Sequence, residues 1–280
     1  MKILVTGANG QVGQALATLI QEEGLDAYLA SREQLDITDY KSVSECVKSV
    51  IPDVIINAAA YTAVDRAEEE IELAYAINRD GSENLAKIAD EMDCPLLHIS
   101  TDFVFDGGKA GAYLETDATG PLSIYGKSKL EGEQRISASH AKHIILRTAW
   151  VFGGPMSFVK TMKRLAEDRT ELSVVEDQFG GPTPAKAIAE SLLKIAKIVT
   201  EENFSDWGVY HYCGKPRVSW YQFASEILKS KTDVTVKPIP TSGYPTPAKR
   251  PANSVLDCSK IKNIFGIDQP DWKAALKQEG

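Results

Sequence analysis

The chain has few cysteines, no long apolar run and no excess of positive charge, and each absence removes a class of function. Its four cysteines, Cys46, Cys94, Cys213 and Cys258, stand tens of residues apart. Without CxxC or His-paired spacing they suggest neither a zinc site nor a disulfide framework, and a reducing cytoplasm fits that usage. The four histidines, His98, His140, His143 and His211, form no convincing ligand set. Lys and Arg number 31 against 39 Asp and Glu, a formal charge of −8, with no long basic run. Nucleic acid and acidic membrane surfaces are therefore not expected partners. No uncharged apolar stretch approaches the roughly 20 residues of a membrane span. Met1-Lys2-Ile3-Leu4-Val5 meets Thr6-Gly7 too early for the apolar region of a signal peptide, so a cytoplasmic, unprocessed chain is expected.

What is present is the composition of an ordinary globular protein, 43% hydrophobic and 25% charged. In the first half, short β-branched runs alternate with helical patterns. The expected strands are Lys2–Thr6, Ala27–Ala30, Val54–Asn57, Leu96–Ser100 and Ile144–Arg147. Between them Gln11–Glu22, Tyr40–Val50, Ile71–Glu91 and Ser123–Ser137 carry apolar residues at helical spacing. Such alternation signals an α/β fold, a doubly wound parallel sheet with helices on both faces. It fills residues 1–149. Beyond Arg147 the alternation loosens, and Gly and Pro cluster at Gly153-Gly154-Pro155, at Gly180-Gly181-Pro182 and from Pro238 to Pro251. A smaller C-terminal α/β lobe for the substrate is expected over residues 150–280. Its helices are Ser157–Glu167, Lys186–Thr200 and Ser219–Lys229, and its strands Leu172–Val175 and Val209–Tyr212. The boundary near Trp150 is soft, since helices such as 186–200 can fold back over the main sheet.

Gly7-Ala8-Asn9-Gly10-Gln11-Val12-Gly13 follows the first strand directly and opens a helix, the context a dinucleotide-binding loop requires. Gly7 suits a tight turn, Gly10 admits a pyrophosphate close to the backbone, and Gly13 lets the helix pack on the strand. The helix start at Gln11 and Val12 offers unpaired N–H groups to phosphate. These features point to a Rossmann-type NAD(P)-binding domain. The second strand ends in Ala30-Ser31-Arg32-Glu33. Ser31 and Arg32 suit the 2′-phosphate of NADPH, whereas Glu33 disfavours it; the balance favours NADPH over NADH. Asp36, followed by Ile37, can accept from the adenine amine, or Thr38 and Asp39 can merely cap the helix at Tyr40.

Tyr125-Gly126-Lys127-Ser128-Lys129 sets a tyrosine and a lysine at i and i+4, on one helix face. An ammonium about 4 Å away at an effective dielectric near 20 contributes roughly 4 kcal/mol. That would bring a tyrosine from about 10 to near neutrality, a shift of about 3 units. Tyr125 is then the expected general acid toward a carbonyl, and Lys129 the group that tunes it and holds the nicotinamide ribose. On its own a Tyr and Lys four apart is a common surface pair. Ser100-Thr101-Asp102 ends the fourth strand at the sheet edge where ligands bind, so the Thr101 hydroxyl can reach the same carbonyl oxygen.

Together these residues resemble the extended short-chain dehydrogenase/reductase superfamily and, in finer motifs, its dTDP-4-dehydrorhamnose reductase family. The resemblance runs nearly end to end. It is carried by Gly7 to Gly13, Asn57 to Asp65, Ser100 to Gly107, Tyr125 to Glu131, Arg147 to Val151, Asp177 to Thr183 and Arg250 to Ser254. It implies reduction of the C4 keto group of dTDP-4-dehydro-L-rhamnose with NAD(P)H, in nucleotide-sugar synthesis. The implied catalytic set is Thr101, Tyr125 and Lys129. Ala58, Ala60, Tyr61, Thr62 and Ser100 would line the cofactor, and Asp102, Phe103, Trp150 and Gln178 the sugar. Arg250 and Asn253 would lie near the substrate's nucleotide. Phe103 departs from the tyrosine more usual in that family, so any hydrogen bond from that hydroxyl is absent.

Three other functions remain open at this point. A 4,6-dehydratase of similar fold carries Thr-Asp-Glu where this chain has Thr101-Asp102-Phe103, so elimination of water lacks its acid and base. A 4-epimerase would retain its NAD without net oxidation. A regulatory subunit would bind NADP without turnover, but the intact Thr101, Tyr125 and Lys129 favour an enzyme. Magnesium dependence occurs among the similar enzymes, yet no carboxylate cluster commits a site here. The apolar faces are compatible with a homodimer.

Overall fold

The structure, a computed structural model, describes residues 1–154 and 157–278; Pro155, in the first Gly/Pro cluster, lies outside them. In chain order the first half runs β1 (Lys2–Thr6), α1 (Gln11–Glu22), β2 (Asp26–Ala30), α2 (Tyr40–Val50), β3 (Val54–Asn57), α3 (Ile71–Tyr75), α4 (Gly81–Glu91), β4 (Leu96–Thr101), α5 (Ile124–Ser139) and β5 (His143–Thr148). The second half continues with β6 (Val151–Phe152), α6 (Phe158–Asp168), β7 (Glu171–Val175), β8 (Phe179–Gly180), β9 (Thr183–Pro184), α7 (Ala185–Val199) and β10 (Gly208–His211). It closes with β11 (Val218–Ser219), α8 (Trp220–Ile227), β12 (Thr235–Ile239), α9 (Ser259–Phe265) and α10 (Trp272–Leu276).

Six parallel strands form the main sheet in the order β10-β5-β4-β3-β1-β2. Its strands are apolar on both faces, as helices on both sides require. Ile3, Val5, Val54, Ile56, Leu97, Ile144 and Leu146 pack one way, against α1, α7 and α9. Leu4, Ile55, Leu96 and Ile145 alternate with them and pack the other way, against α2, α4 and α5. This is the doubly wound, Rossmann-type α/β architecture. The winding reverses between β1 and β3, and ligands of such sheets bind beyond the carboxyl ends of the strands at that reversal.

Three elements of the second half, α7, α9 and β10, belong to this sheet layer. Helix α7 covers one face, as the apolar 186–200 stretch allowed. The strand expected over Val209–Tyr212 in the smaller lobe instead pairs in parallel with β5 and forms the sheet edge. The remaining elements build a separate small core around Phe152, Met162, Val174, Phe223 and Trp272. There β7 pairs with β12, and β8 with β11.

The helix expected over Ile71–Glu91 is interrupted. Residues Ala76–Asp80 between α3 and α4 are π-helical, a one-turn widening that apolar periodicity does not reveal. It brings the Asn78 carbonyl against α5: a Cβ added to Gly132 would lie 2.1 Å from that oxygen.

Candidate active site

The glycine loop sits at the reversal of the sheet. Gly7 adopts a φ of +70°, and a Cβ there would lie 2.5 Å from the Ala59 nitrogen, in the loop that follows β3. A Cβ on Gly13 would fall 2.2 Å from the Gly7 carbonyl oxygen, so that position admits no side chain without moving the loop. Gly10 is different: a Cβ there meets only the Gly7 oxygen, at 3.3 Å. It is the N-cap of α1 and supplies no side-chain hydrogen bond, and the first turn of α1 has no acidic residue. The helix start thus presents N–H groups and the positive dipole end to an incoming anion. Gln11 Oε1, buried beside it, has no partner among the described residues. An uncapped helix start, a glycine cradle and an orphaned acceptor fit the pyrophosphate end of a dinucleotide.

At the end of β2, Arg32 and Glu33 are exposed and the Ser31 N–H donates to Gln34 Oε1 at 2.9 Å. Asp36 Oδ1 accepts from the Thr38 N–H and hydroxyl, at 2.9 and 2.8 Å. Those bonds hold its carboxyl below the usual carboxylate range. Asp39 caps α2 by accepting from the Lys41 N–H. Ile37 is buried against Gly81. After β3, the chain 58–62 is fastened from below: Asn78 accepts from the Tyr61 N–H at 2.9 Å and donates to the Tyr61 carbonyl and to Ser128. Its Tyr61 hydroxyl donates to Glu70, and Thr62 is exposed.

Beyond the end of β4 the expected acid and hydroxyl meet. Tyr125, in the first turn of α5 behind the Ser123 cap, lies against the Thr101 side chain. Burial pushes its hydroxyl up to about 12, the Asp102 charge adds to this, and the nearby Thr101 hydroxyl offsets part. The expected lowering toward neutrality does not occur in this geometry. Lys129 Nζ points instead to the Ile99 carbonyl at 2.7 Å and to His98 Nε2 at 3.1 Å. Burial lowers the lysine to about 8, against the pull of Glu133. Asp102 is buried, accepts from Thr101 at 3.0 Å and leaves Oδ2 unpartnered among the described residues. Burial raises it to about 6, with the neighbouring Ser254 and Thr101 hydroxyls opposing.

The Ser100 hydroxyl is committed elsewhere, donating to Glu133 at 2.5 Å. Glu133 also holds Arg147 through bonds of 2.7 to 3.2 Å, and both are buried. This pair locks α5 to β4 and β5 beneath the site. Neither Glu133, nor His98, nor Asn57 was singled out from the sequence as a site residue. A signal existed: a histidine and an arginine stand inside the apolar strands Leu96–Thr101 and His143–Thr148, where a polar side chain must find a partner.

The second half closes the other side. Trp150, at a φ of +48°, stacks on Trp220 with ring centroids 3.6 Å apart. Gly180 makes room for its ring; a Cβ there would lie 2.4 Å from Trp150. Phe103 meets Tyr125 edge to face at 5.4 Å. Three expected substrate residues have their polar atoms engaged within the protein. Gln178 donates to Thr241 at 3.1 Å. Arg250 forks onto Asp65 at 3.0 and 2.7 Å. Asn253 donates to the Lys109 and Gly111 carbonyls at 2.7 and 2.8 Å. Among the described residues no group of three or more His, Cys, Asp or Glu is placed to hold a metal ion, and none of their helices is long and apolar enough to cross a membrane.

Comparison with known proteins agrees with this geometry. A family model described as RmlD substrate binding domain matches residues 1–279. The dTDP-4-dehydrorhamnose reductase of Aggregatibacter actinomycetemcomitans is 47% identical over 99% of this chain and 97% of its own. The crystal structure of a dTDP-4-dehydrorhamnose reductase from Clostridium acetobutylicum superimposes with a TM-score of 0.94 at 40% identity, over 100% of this chain and 98% of that one. A Bacillus anthracis dTDP-4-dehydrorhamnose reductase solved in complex with NADP gives 0.93 at 36% identity, over 99% and 98%. By a family match along almost its whole length and by relatives matched end to end, this chain belongs to the RmlD substrate binding domain family.

Proposed function

We propose that the chain reduces the C4 keto group of dTDP-4-dehydro-L-rhamnose, giving dTDP-L-rhamnose, with NADPH as the preferred reductant. The observation that carries this reading is the placement of Tyr125 against Thr101 past the end of β4, with the uncapped α1 start following β1 in the same sheet. Residues 1–149 act as the dinucleotide-binding half. Gly7, Gly10, Gln11, Val12 and Gly13 cradle the pyrophosphate, and Ser31, Arg32, Asp36 and Ile37 surround the adenosine. Ala58, Ala60, Tyr61, Thr62 and Ser100 follow the dinucleotide toward its nicotinamide. The dinucleotide, when bound, supplies the hydride that C4 receives. Support comes from the NADP complex of the Bacillus anthracis relative; no magnesium is included.

The chain's own part is to hold the ketone and give it a proton. With its hydroxyl pushed up to about 12, Tyr125 keeps its proton at neutral pH and transfers it to the oxygen at C4, while Thr101 orients that oxygen. Lys129, one turn further along α5, returns a proton to the tyrosinate. Residues 150–280, apart from the elements that join the main sheet, form the sugar-nucleotide side. Trp150, Phe103, Asp102 and Gln178 face the sugar, with Arg250 and Asn253 shaping the loop at its nucleotide. In this reading the enzyme works in the cytoplasm on a small-molecule substrate.

The test is product analysis of purified protein with dTDP-4-dehydrorhamnose and NADPH. The 4-hydroxy product with equimolar cofactor oxidation is expected. Dehydration of dTDP-glucose, or interconversion without net oxidation, would overturn the assignment.

A further inference from the structure

Thr6, Asn57, His98 and Lys129 form one chain of hydrogen bonds through the interior, from β1 across β3 and β4 to α5. Its polarity follows from its first links. Asn57 Oδ1 accepts from the Thr6 hydroxyl at 2.6 Å and from the Ala59 N–H at 3.1 Å. The amide oxygen is thereby fixed on that side, and Nδ2 faces His98 Nδ1 at 2.9 Å. An amide nitrogen only donates, so Nδ1 accepts. A neutral imidazole carries a single proton, which then sits on Nε2. His98 is neutral, because complete burial and the neighbouring Lys129 hold its pKa well below the usual histidine value. Its Nε2–H therefore points at Lys129 Nζ, 3.1 Å away.

An ammonium has no lone pair to receive that N–H; a neutral amine has one. We propose that His98 is a positioning residue for proton return, its Nε2–H stabilising the neutral amine that Lys129 becomes after giving a proton to Tyr125. This rests on the reduction proposed above. The proton balance closes: the Tyr125 O–H bond breaks as the C4 oxygen is protonated, and a Lys129 N–H bond breaks as the tyrosinate is reprotonated. The amine then recovers a proton from water before the next turnover.

The groups around Lys129 leave this role to His98. On its own helix stand Tyr125 and Glu133, the latter favouring the ammonium and engaged by Arg147 of β5. From β4 come His98 and, past its end, Asp102 beside Tyr125. The π-helical turn contributes the uncharged Asn78, bonded to Ser128. Arg79, Glu131, Glu83 and Arg135 pair among themselves on the outer side of α5, and Glu68 accepts from the Ile124 N–H at the helix start.

The first experiment uses the full-length protein without substrate: proton–nitrogen correlation spectra of histidine-labelled protein, which distinguish the two tautomers. A neutral His98 protonated at Nε2 is expected; protonation at Nδ1 would overturn the proposal. The second follows Lys129 by lysine labelling, assigned with Lys129→Met, in wild type and His98→Gln. The glutamine oxygen accepts from an ammonium, so the lysine titration rises by about one pH unit, a tenfold change in its protonation ratio. The alkaline fall of NADPH consumption moves up by the same amount, because the ammonium is the active form. An unmoved lysine titration would contradict the proposal. Should His98→Gln not fold, Asn57→Leu keeps His98 but frees its tautomer, and the same upward shift is expected. If the spectra behave as expected and no reduction is found, the proposed reaction fails and the proton-return role with it, while the hold of His98 on Lys129 stands.

Discussion

At the scale of single residues, the site is organised by what burial does to charge. Asp102 shows this most clearly. Its carboxyl is raised from 3.8 to about 6 because burial disfavours the charged form. A folded-state value above the unfolded one means that its contribution is fully present at low pH and lost as pH rises through about 6. Between about pH 4.5 and about pH 8 the difference amounts to about 2 kcal/mol. Urea unfolding of wild type and Asp102→Asn across that range should show the variant gaining about that much relative to wild type. A pH-independent difference would show that Asp102 ionises as freely in the folded protein as in the unfolded chain. Tyr125 obeys the same rule with a different consequence. Held at about 12, it keeps its proton at neutral pH, ready to give. The expectation from Tyr-Lys spacing alone, a tyrosine pulled toward neutrality, missed this because spacing does not say where a lysine's ammonium points. Here it points at a carbonyl and an imidazole.

At the scale of elements, much was legible because local rules govern element starts. Gln11–Glu22, Tyr40–Val50, Lys2–Thr6 and Val54–Asn57 match the expected bounds at both ends, and β2, β4 and β7 match at one. Helices expected to begin at Ser123, Ser157 and Ser219 begin one residue later, with each serine as the N-cap. The serine hydroxyl takes a first-turn N–H, so it marks the boundary and not the first turn. The π-helical turn at Ala76–Asp80 was illegible, since one inserted residue hardly disturbs the apolar pattern. So was the place of β10, since pairing with β5 is a long-range choice that no local pattern encodes. The glycine loop was legible in sequence, and two of its positions now make different predictions. Gly13→Ala should lower the melting temperature markedly, because its Cβ would fall 2.2 Å from a backbone oxygen. Gly10→Ala, with a single neighbour at 3.3 Å, should fold near normally and lose dinucleotide affinity. Calorimetric melting with a dinucleotide titration separates the two; equal melting losses would show that the loop is not shaped as described.

At the scale of the whole molecule, a protein of charge −8 must collect anionic ligands through local positive features. The candidates are the uncapped α1 start, the exposed Arg32 and the buried Lys129. Bound dinucleotide should stabilise the fold by about 2.7 kcal/mol at about a hundredfold its Kd, a rise of several degrees in melting temperature. If Arg32 holds the 2′-phosphate, NADPH should stabilise more than NADH at equal concentration, and Arg32→Ala should narrow that gap. Thermal melts with each cofactor check this, and an unchanged gap would remove Arg32 from the cofactor site. The two halves contribute unequally to what was legible. The Gly7 loop, Thr101 and Tyr125 could be found from motifs in the first half. Trp150 against Trp220, Asp65 against Arg250 and Ser254 against Asp102 join residues far apart in sequence, and only the folded chain brings them together.

The central claim is that Tyr125 protonates a sugar ketone as a nicotinamide cofactor reduces it. The most direct measurement is loss of the reduced-nicotinamide absorbance when purified protein meets NADPH and freshly made dTDP-4-dehydrorhamnose, with Tyr125→Phe alongside. Equimolar loss of signal in wild type, slowed by about 10²–10⁴-fold in the variant with cofactor binding kept, is the predicted result. Equal rates in the two proteins, or no loss in wild type despite measured cofactor binding, would contradict the account.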